Sequence, residues 1–249
     1  MEIKQILNNY IDKYKNFKWE IFESEHYIFH YNKNSEAEED INLIIKIQED
    51  SYKKIVNNLK LEEQKEKINY FFYLSEEQKE ELMGDDGNAQ SLWDDFSIHM
   101  VYSGKIKPLG EHEDTHLLTL NWGVATGFFQ EGLAEYMNGC VWKNEQSVYL
   151  DSKPLILKAY DEGINKSLDK FFEHKFWNET MGNEWWYYYP LAGYFTKYLF
   201  ENFGLEKYKE FYKSIDRNNL KNEVINIFEN IFGDIEDIKA DFENSLFNK

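Results

Sequence analysis

Apolar and polar residues alternate along this chain in two rhythms, and the rhythm changes near the middle. Short aromatic-rich runs at 19–22 and 26–31 predict a pair of strands around a turn at 23–25. Ile41, Ile44, Ile45, Tyr52, Ile55 and Leu59 then recur at three- and four-residue steps, the stripe of an amphipathic helix over 35–59. Ser35 with Glu38 three residues later has the form of a capping box. The run KINYFFYL at 67–74 predicts a buried strand. Ser75 caps a short helix that ends at Gly84. The segment GDDGNAQ at 84–90 reads as loop, and SIHMVY at 97–102 alternates enough for another strand.

From Gly110 the pattern turns helical. Helices are expected over 110–120, 126–138, 153–161, 185–203, 205–215, 219–231 and 234–247. Gly204, Gly233 and the Asn218–Asn219 pair punctuate the last four. Strands first and helices after predict an α+β fold. A small mixed-sheet lobe would occupy 1–105 and a mainly helical lobe 106–249, within a single domain. Pro108, Pro154 and Pro190 are the only prolines, and no Pro-, Gly- or Ser-rich linker divides the 249 residues.

Composition narrows the partners. Hydrophobic residues make up 42% and aromatics 18%, so a sizeable core is available and disorder is not expected. The 28 basic residues face 46 acidic ones, a net charge of −18. Such a surface repels phosphate backbones, and no basic block offsets it, so nucleic acid is not an expected partner. No apolar window is long enough to span a bilayer, so no membrane is expected either. The N-terminal stretch lacks a basic segment followed by an apolar run, which reads as no signal peptide. Cys140 is the one cysteine, which suits a reducing compartment, and the expected location is cytoplasmic.

The chemistry concentrates in Gly110-Glu111-His112-Glu113-Asp114-Thr115-His116, which contains H-E-x-x-H. Residues four apart on a helix lie one turn apart on one face, so both imidazoles can reach one zinc ion at about 2.0–2.1 Å. Glu113 points roughly 100° away from His112, beside such an ion without being a ligand, where a general base for the attacking water belongs. A metzincin would carry glycine at 119 and histidine at 122, but Thr119 and Trp122 stand there. The third ligand would instead be a carboxylate from a second helix. Downstream lies Phe128-Phe129-Gln130-Glu131-Gly132-Leu133-Ala134-Glu135-Tyr136. Its two glutamates again share a face. One could bind metal and the other accept the N–H of a ligating imidazole.

H-E-D-T-H followed by F-Q-E-G-L-A-E-Y resembles the gluzincin metallopeptidases of the broad peptidase MA group. The resemblance runs over roughly residues 20 to 245, and only the two motifs are strongly specific. It implies a zincin-like fold with the metal site in the cleft between sheet lobe and helical lobe. It implies zinc held by His112, His116 and Glu131, with Glu135 orienting the first ligand histidine. It also implies zinc-dependent hydrolysis of a peptide or protein substrate. Tyr189-Pro190-Leu191-Ala192-Gly193-Tyr194-Phe195 resembles the Y-x-x-A-G-x-F helix start of small bacterial members, and this makes Tyr189 the expected oxyanion donor. Tyr136 and Tyr194 are lesser candidates. The alternative reading is a zincin-fold protein that binds a peptide or protein without cutting it.

Four further expectations concern single elements. Asp114 occupies a place often apolar in that family, and it is expected to face solvent or cap a turn, the alternative being a place just behind the zinc ligands. The strand at 97–102 is an expected sheet edge able to take an extended peptide by strand addition, or else an ordinary buried strand. His99 on it is expected to be structural rather than a ligand. Cys140 is expected to be a buried, inert thiol.

Overall fold

In a computed structural model, residues 13–104, 106–143, 148–164 and 167–247 are described. The protein is mixed α+β, with a small sheet toward the N-terminus and helices after it. The chain divides into two compact units, Met1–Leu118 and Thr119–Lys249. The first unit therefore includes the H-E-x-x-H helix, whereas the change of hydrophobic rhythm placed that segment with the helical part.

In the first unit five strands form one sheet: β1 (Glu20–Glu23), β2 (Tyr27–Tyr31), β3 (Ile68–Tyr73), β4 (Ala89–Leu92) and β5 (Ser97–Val101), in the order β1-β2-β3-β5-β4. The three inner strands run parallel, and β1 and β4 pair antiparallel at the edges. Strands buried on both faces read as continuous apolar runs, as INYFFY in β3 does. The strand at 97–102 is thus not an edge. Both its sides are paired, and the backbone at Ala89–Leu92 closes the position that strand addition would need. The loop expected over 84–90 gives way to β4 at its end, because two glycines and two aspartates mask a four-residue strand held by its neighbour.

Helix α1 (Ile41–Leu59) buries Ile44, Gln48, Tyr52, Ile55 and Leu59. A single helical turn, Glu36–Glu39, precedes it. Ser35 Oγ accepts from the backbone of Glu38, but the Glu38 carboxylate returns to the N–H of Asn34 instead of closing the box on Ser35. Helix α2 (Glu76–Met83) begins at Ser75, whose hydroxyl accepts from Gln78, and stops at Gly84 in the left-handed region, φ 77°. Helix α3 (Glu111–Leu118) packs on α1 and on β4 and β5.

The second unit holds α4 (Gly127–Met137), the hairpin β6 (Val141–Lys143) and β7 (Tyr149–Asp151), then α5 (Lys153–Asp161), α6 (His174–Lys213), α7 (Lys221–Phe232) and α8 (Ile235–Phe247). The expected helices at 185–203 and 205–215 are one 40-residue helix that starts earlier. Gly204 still marks the foreseen boundary, because its φ of 83° sits inside that helix. The aromatic residues explain how the two stretches stay joined. Phe129, Phe172, Phe195, Phe211 and Phe228 are fully buried, with Phe129 and Phe211 ring centres 4.7 Å apart.

Small residues let α4 and α6 approach. A Cβ at Gly132 would lie 2.5 Å from Thr196 Oγ1 and 2.7 Å from the carbonyl oxygen of Ala192. A Cβ at Gly193 would lie 2.7 Å from the Cβ of Glu135. The A-G pair of the Y-x-x-A-G-x-F segment is therefore a helix-crossing device that presses on the helix carrying Glu131 and Glu135. Among the described residues, no helix is long and apolar enough to cross a membrane.

Gly132→Ala must displace backbone, not just a flexible side chain. Its unfolding free energy in urea should fall by about 1–3 kcal/mol, the usual cost of overpacking. An unchanged midpoint would refute the close crossing.

Candidate metal centre

Helix α3 begins just after Gly110, whose φ of 131° lets the chain turn in from the preceding loop. His112 and His116 stand one turn apart on it, with ring centres 5.1 Å apart and planes at 81°. Two rings so placed can direct one nitrogen each toward a common point, as a shared cation demands. Glu113 lies between them in sequence and is half-buried. Glu111, at the start of the helix, accepts from Lys54 Nζ at 2.8 Å.

Asp114 overturns its expectation. It is fully buried instead of facing solvent. Its Oδ2 accepts from Gln48 Nε2 at 2.7 Å, with the Tyr27 hydroxyl at 3.1 Å, while Oδ1 has no hydrogen-bond partner among the described residues. Burial drives its pKa well above the usual carboxylate range, and the hydrogen bond from Tyr27 only partly opposes this. Exposure statistics for aspartate failed here because two donors, distant in sequence, take the place of water.

In the second unit, Glu131 and Glu135 lie one turn apart on α4 and both are half-buried. Gln130 beside them is buried, and its Oε1 accepts from Arg217 Nε at 3.1 Å and Nη2 at 2.6 Å. Arg217 is the single arginine of the chain. Burial lowers its pKa, and the negative charge of Glu131 works in the other direction. Sequence reading passed over Arg217. Its rarity among 28 basic residues was the available signal. Tyr189 is half-buried on α6, with its ring centre 5.8 Å from that of Trp177. The lesser tyrosines are engaged elsewhere. Tyr194 donates to Asp151, and the Tyr136 ring packs on Phe200 at 4.6 Å.

Among the described residues, two groups of side chains offer donors for a metal ion. His112, His116 and Glu131 make the first, two imidazoles and a carboxylate, the donor types that suit zinc. Of the two glutamates of α4, Glu131 belongs to it and Glu135 does not. The second group is Glu25, His26 and Glu49. There, Glu49 is already occupied in tying the β1–β2 turn to α1. Its Oε1 accepts from Ser24 Oγ at 2.6 Å and from the His26 N–H at 3.0 Å, and its Oε2 faces His26 Nδ1 at 2.6 Å.

His99 is fully buried, with Nδ1 2.8 Å from the Tyr73 hydroxyl and Nε2 2.9 Å from Ser97 Oγ. It stacks on Phe71 at 4.7 Å. It belongs to neither donor group and is structural, as expected. Cys140 is buried too, and burial pushes its thiol up to about 12, which leaves it unreactive at neutral pH. Compared with known proteins, the chain matches no family model, and no curated protein matches it significantly.

Burial holds the His99 pKa well below its ordinary value of about 6.5. The unfolded chain then binds a proton that the folded chain refuses. His99 therefore supports folding fully above pH about 6.5, and that support declines as pH falls from there toward the folded value. Unfolding free energies measured between pH 5 and 7.5 should show a steeper acid slope for the native chain than for His99→Gln. Equal slopes would contradict a neutral buried ring.

Proposed function

We propose that this protein is a zinc-dependent peptide-bond hydrolase with a zincin-like fold. The observation that carries the reading is the donor set: two imidazoles one turn apart on α3, joined in a candidate metal group by the carboxylate of Glu131. A sheet followed by helices, with H-E-x-x-H on the first helix after the sheet, supports the fold assignment. The buried single cysteine and the charge of −18 support a protein working in the cytoplasm on peptide or protein rather than on nucleic acid.

His112, His116 and Glu131 would hold the ion. When bound, zinc supplies Lewis-acid polarisation of the scissile carbonyl and a more acidic water. Glu113 takes the proton of the attacking water and hands it to the leaving amine, and a half-buried carboxylate one residue from His112 is suited to both transfers. Tyr189 donates its hydroxyl hydrogen to the developing oxyanion. Glu135 would accept from the ring N–H of His112 and so favour the tautomer that binds metal. The close approach of Gly132 to Thr196 and Ala192, and of Gly193 to the Cβ of Glu135, keeps the helix that carries both glutamates on a rigid support.

Elemental analysis of the purified native chain should find about one zinc per molecule, and that protein should cleave members of a broad peptide library. Glu113→Gln should keep the zinc and lose about a hundredfold to ten-thousandfold in hydrolysis. Full activity in that variant would remove Glu113 from its role. Glu131→Ala should weaken zinc binding by more than the about 10–100-fold that loss of an outer partner causes. Undiminished zinc content there, measured after dialysis against a chelator, would exclude Glu131 as a ligand.

A further inference from the structure

A helix of eight residues is marginal on its own, and α3 is entered through a glycine with a positive φ. Apolar packing alone would tolerate small rotations of such a helix. A metal site tolerates little, because a nitrogen must arrive from each ring at one point.

Directional contacts on the far side of α3 remove that freedom. Successive residues turn by about 100°, so Asp114 lies about 200° from both His112 and His116, on the opposite face. There Gln48, fully buried at the middle of α1, spans the first turn of α3 with one amide group. Its Oε1 accepts from the Gly110 N–H at 3.0 Å, and its Nε2 donates to Asp114 Oδ2 at 2.7 Å. The Tyr27 hydroxyl stands 3.1 Å from the same carboxylate oxygen and 3.1 Å from the backbone carbonyl oxygen of Gln48. Tyr70 closes the cluster, with its hydroxyl 3.3 Å from Gln48 Nε2. The cluster joins β2, β3 and α1 to α3, within one unit.

A buried amide and a buried carboxyl are a poor way to stabilise a fold. Replacing both partners by apolar groups of similar shape is often neutral or favourable. Their presence here, back to back with two imidazoles, needs another reason. We propose that Gln48 and Asp114 are positioning residues, a buried latch that fixes where α3 begins and how it is rotated, and so aims His112 and His116 at one ion. The inference rests on the zinc reading above. Neither residue belongs to a candidate donor group among the described residues.

The test separates aim from stability. The Gln48→Met, Asp114→Leu double variant replaces the latch by apolar groups of similar size. It should melt at the native temperature or higher, yet bind zinc about tenfold or more weakly in competition with a chromogenic chelator. Asp114→Asn keeps an acceptor for Gln48 and should hold zinc within about threefold of the native chain. A folded double variant with native zinc affinity overturns the latch. Should the double variant fail to fold, Gln48→Met alone decides by the same two readouts. A native chain that takes up no zinc would remove the metal reading itself. Native zinc uptake with unchanged affinity in the latch variants would remove only this inference.

Discussion

A carboxyl group leaves water only where other donors replace what it loses, and in the first unit this constraint governs the helix that carries both histidines. Asp114 is sealed in the core with the Gln48 amide and the Tyr27 hydroxyl as its donors. Those partners come from α1 and β2, so the sheet, the long helix and α3 must all be in register for one oxygen to be satisfied. An apolar residue at 114 would let α3 settle by packing alone. The imidazoles on the opposite face gain their orientation from this polar contact.

The second unit meets a similar demand for rigidity by a different means. Glu131 and Glu135 stand on a helix pressed against α6, where Gly132 meets Thr196 and Ala192, and Gly193 meets the Cβ of Glu135, with no room even for a methyl group. Close backbone contact holds α4 together with the hydrogen bonds from Arg217 to buried Gln130, and the aromatic cluster around Phe129, Phe195 and Phe228 fills the space beyond. Directional hydrogen bonds steady the imidazoles, and steric contact steadies the carboxylates. The donors proposed for zinc thus each stand on an element with restricted freedom.

Much of the local structure was legible. The hydrophobic stripe of α1, the Ser75 to Gly84 helix and the apolar run of β3 emerge where the pattern placed them. Misreadings cluster where a short segment depends on distant pairing. Ala89–Leu92 reads as loop from its own residues and becomes a strand through β5. Gly204 carries the left-handed φ that ends many helices, yet α6 continues through it because both sides bury aromatic rings. The strand at 97–102 is well formed, but its place inside the sheet is a property of strand order, which no local pattern encodes.

What the sequence by itself determined is the part that follows from helical periodicity. Histidines at 112 and 116 share a face of any helix they form, with Glu113 beside them, because 3.6 residues make a turn. Which way that face points was decided by tertiary structure alone. The groups that hold Asp114 are 66 and 87 residues away along the chain. Such partners are invisible to spacing rules, since only folding brings a core glutamine and a strand tyrosine to the back of a two-turn helix.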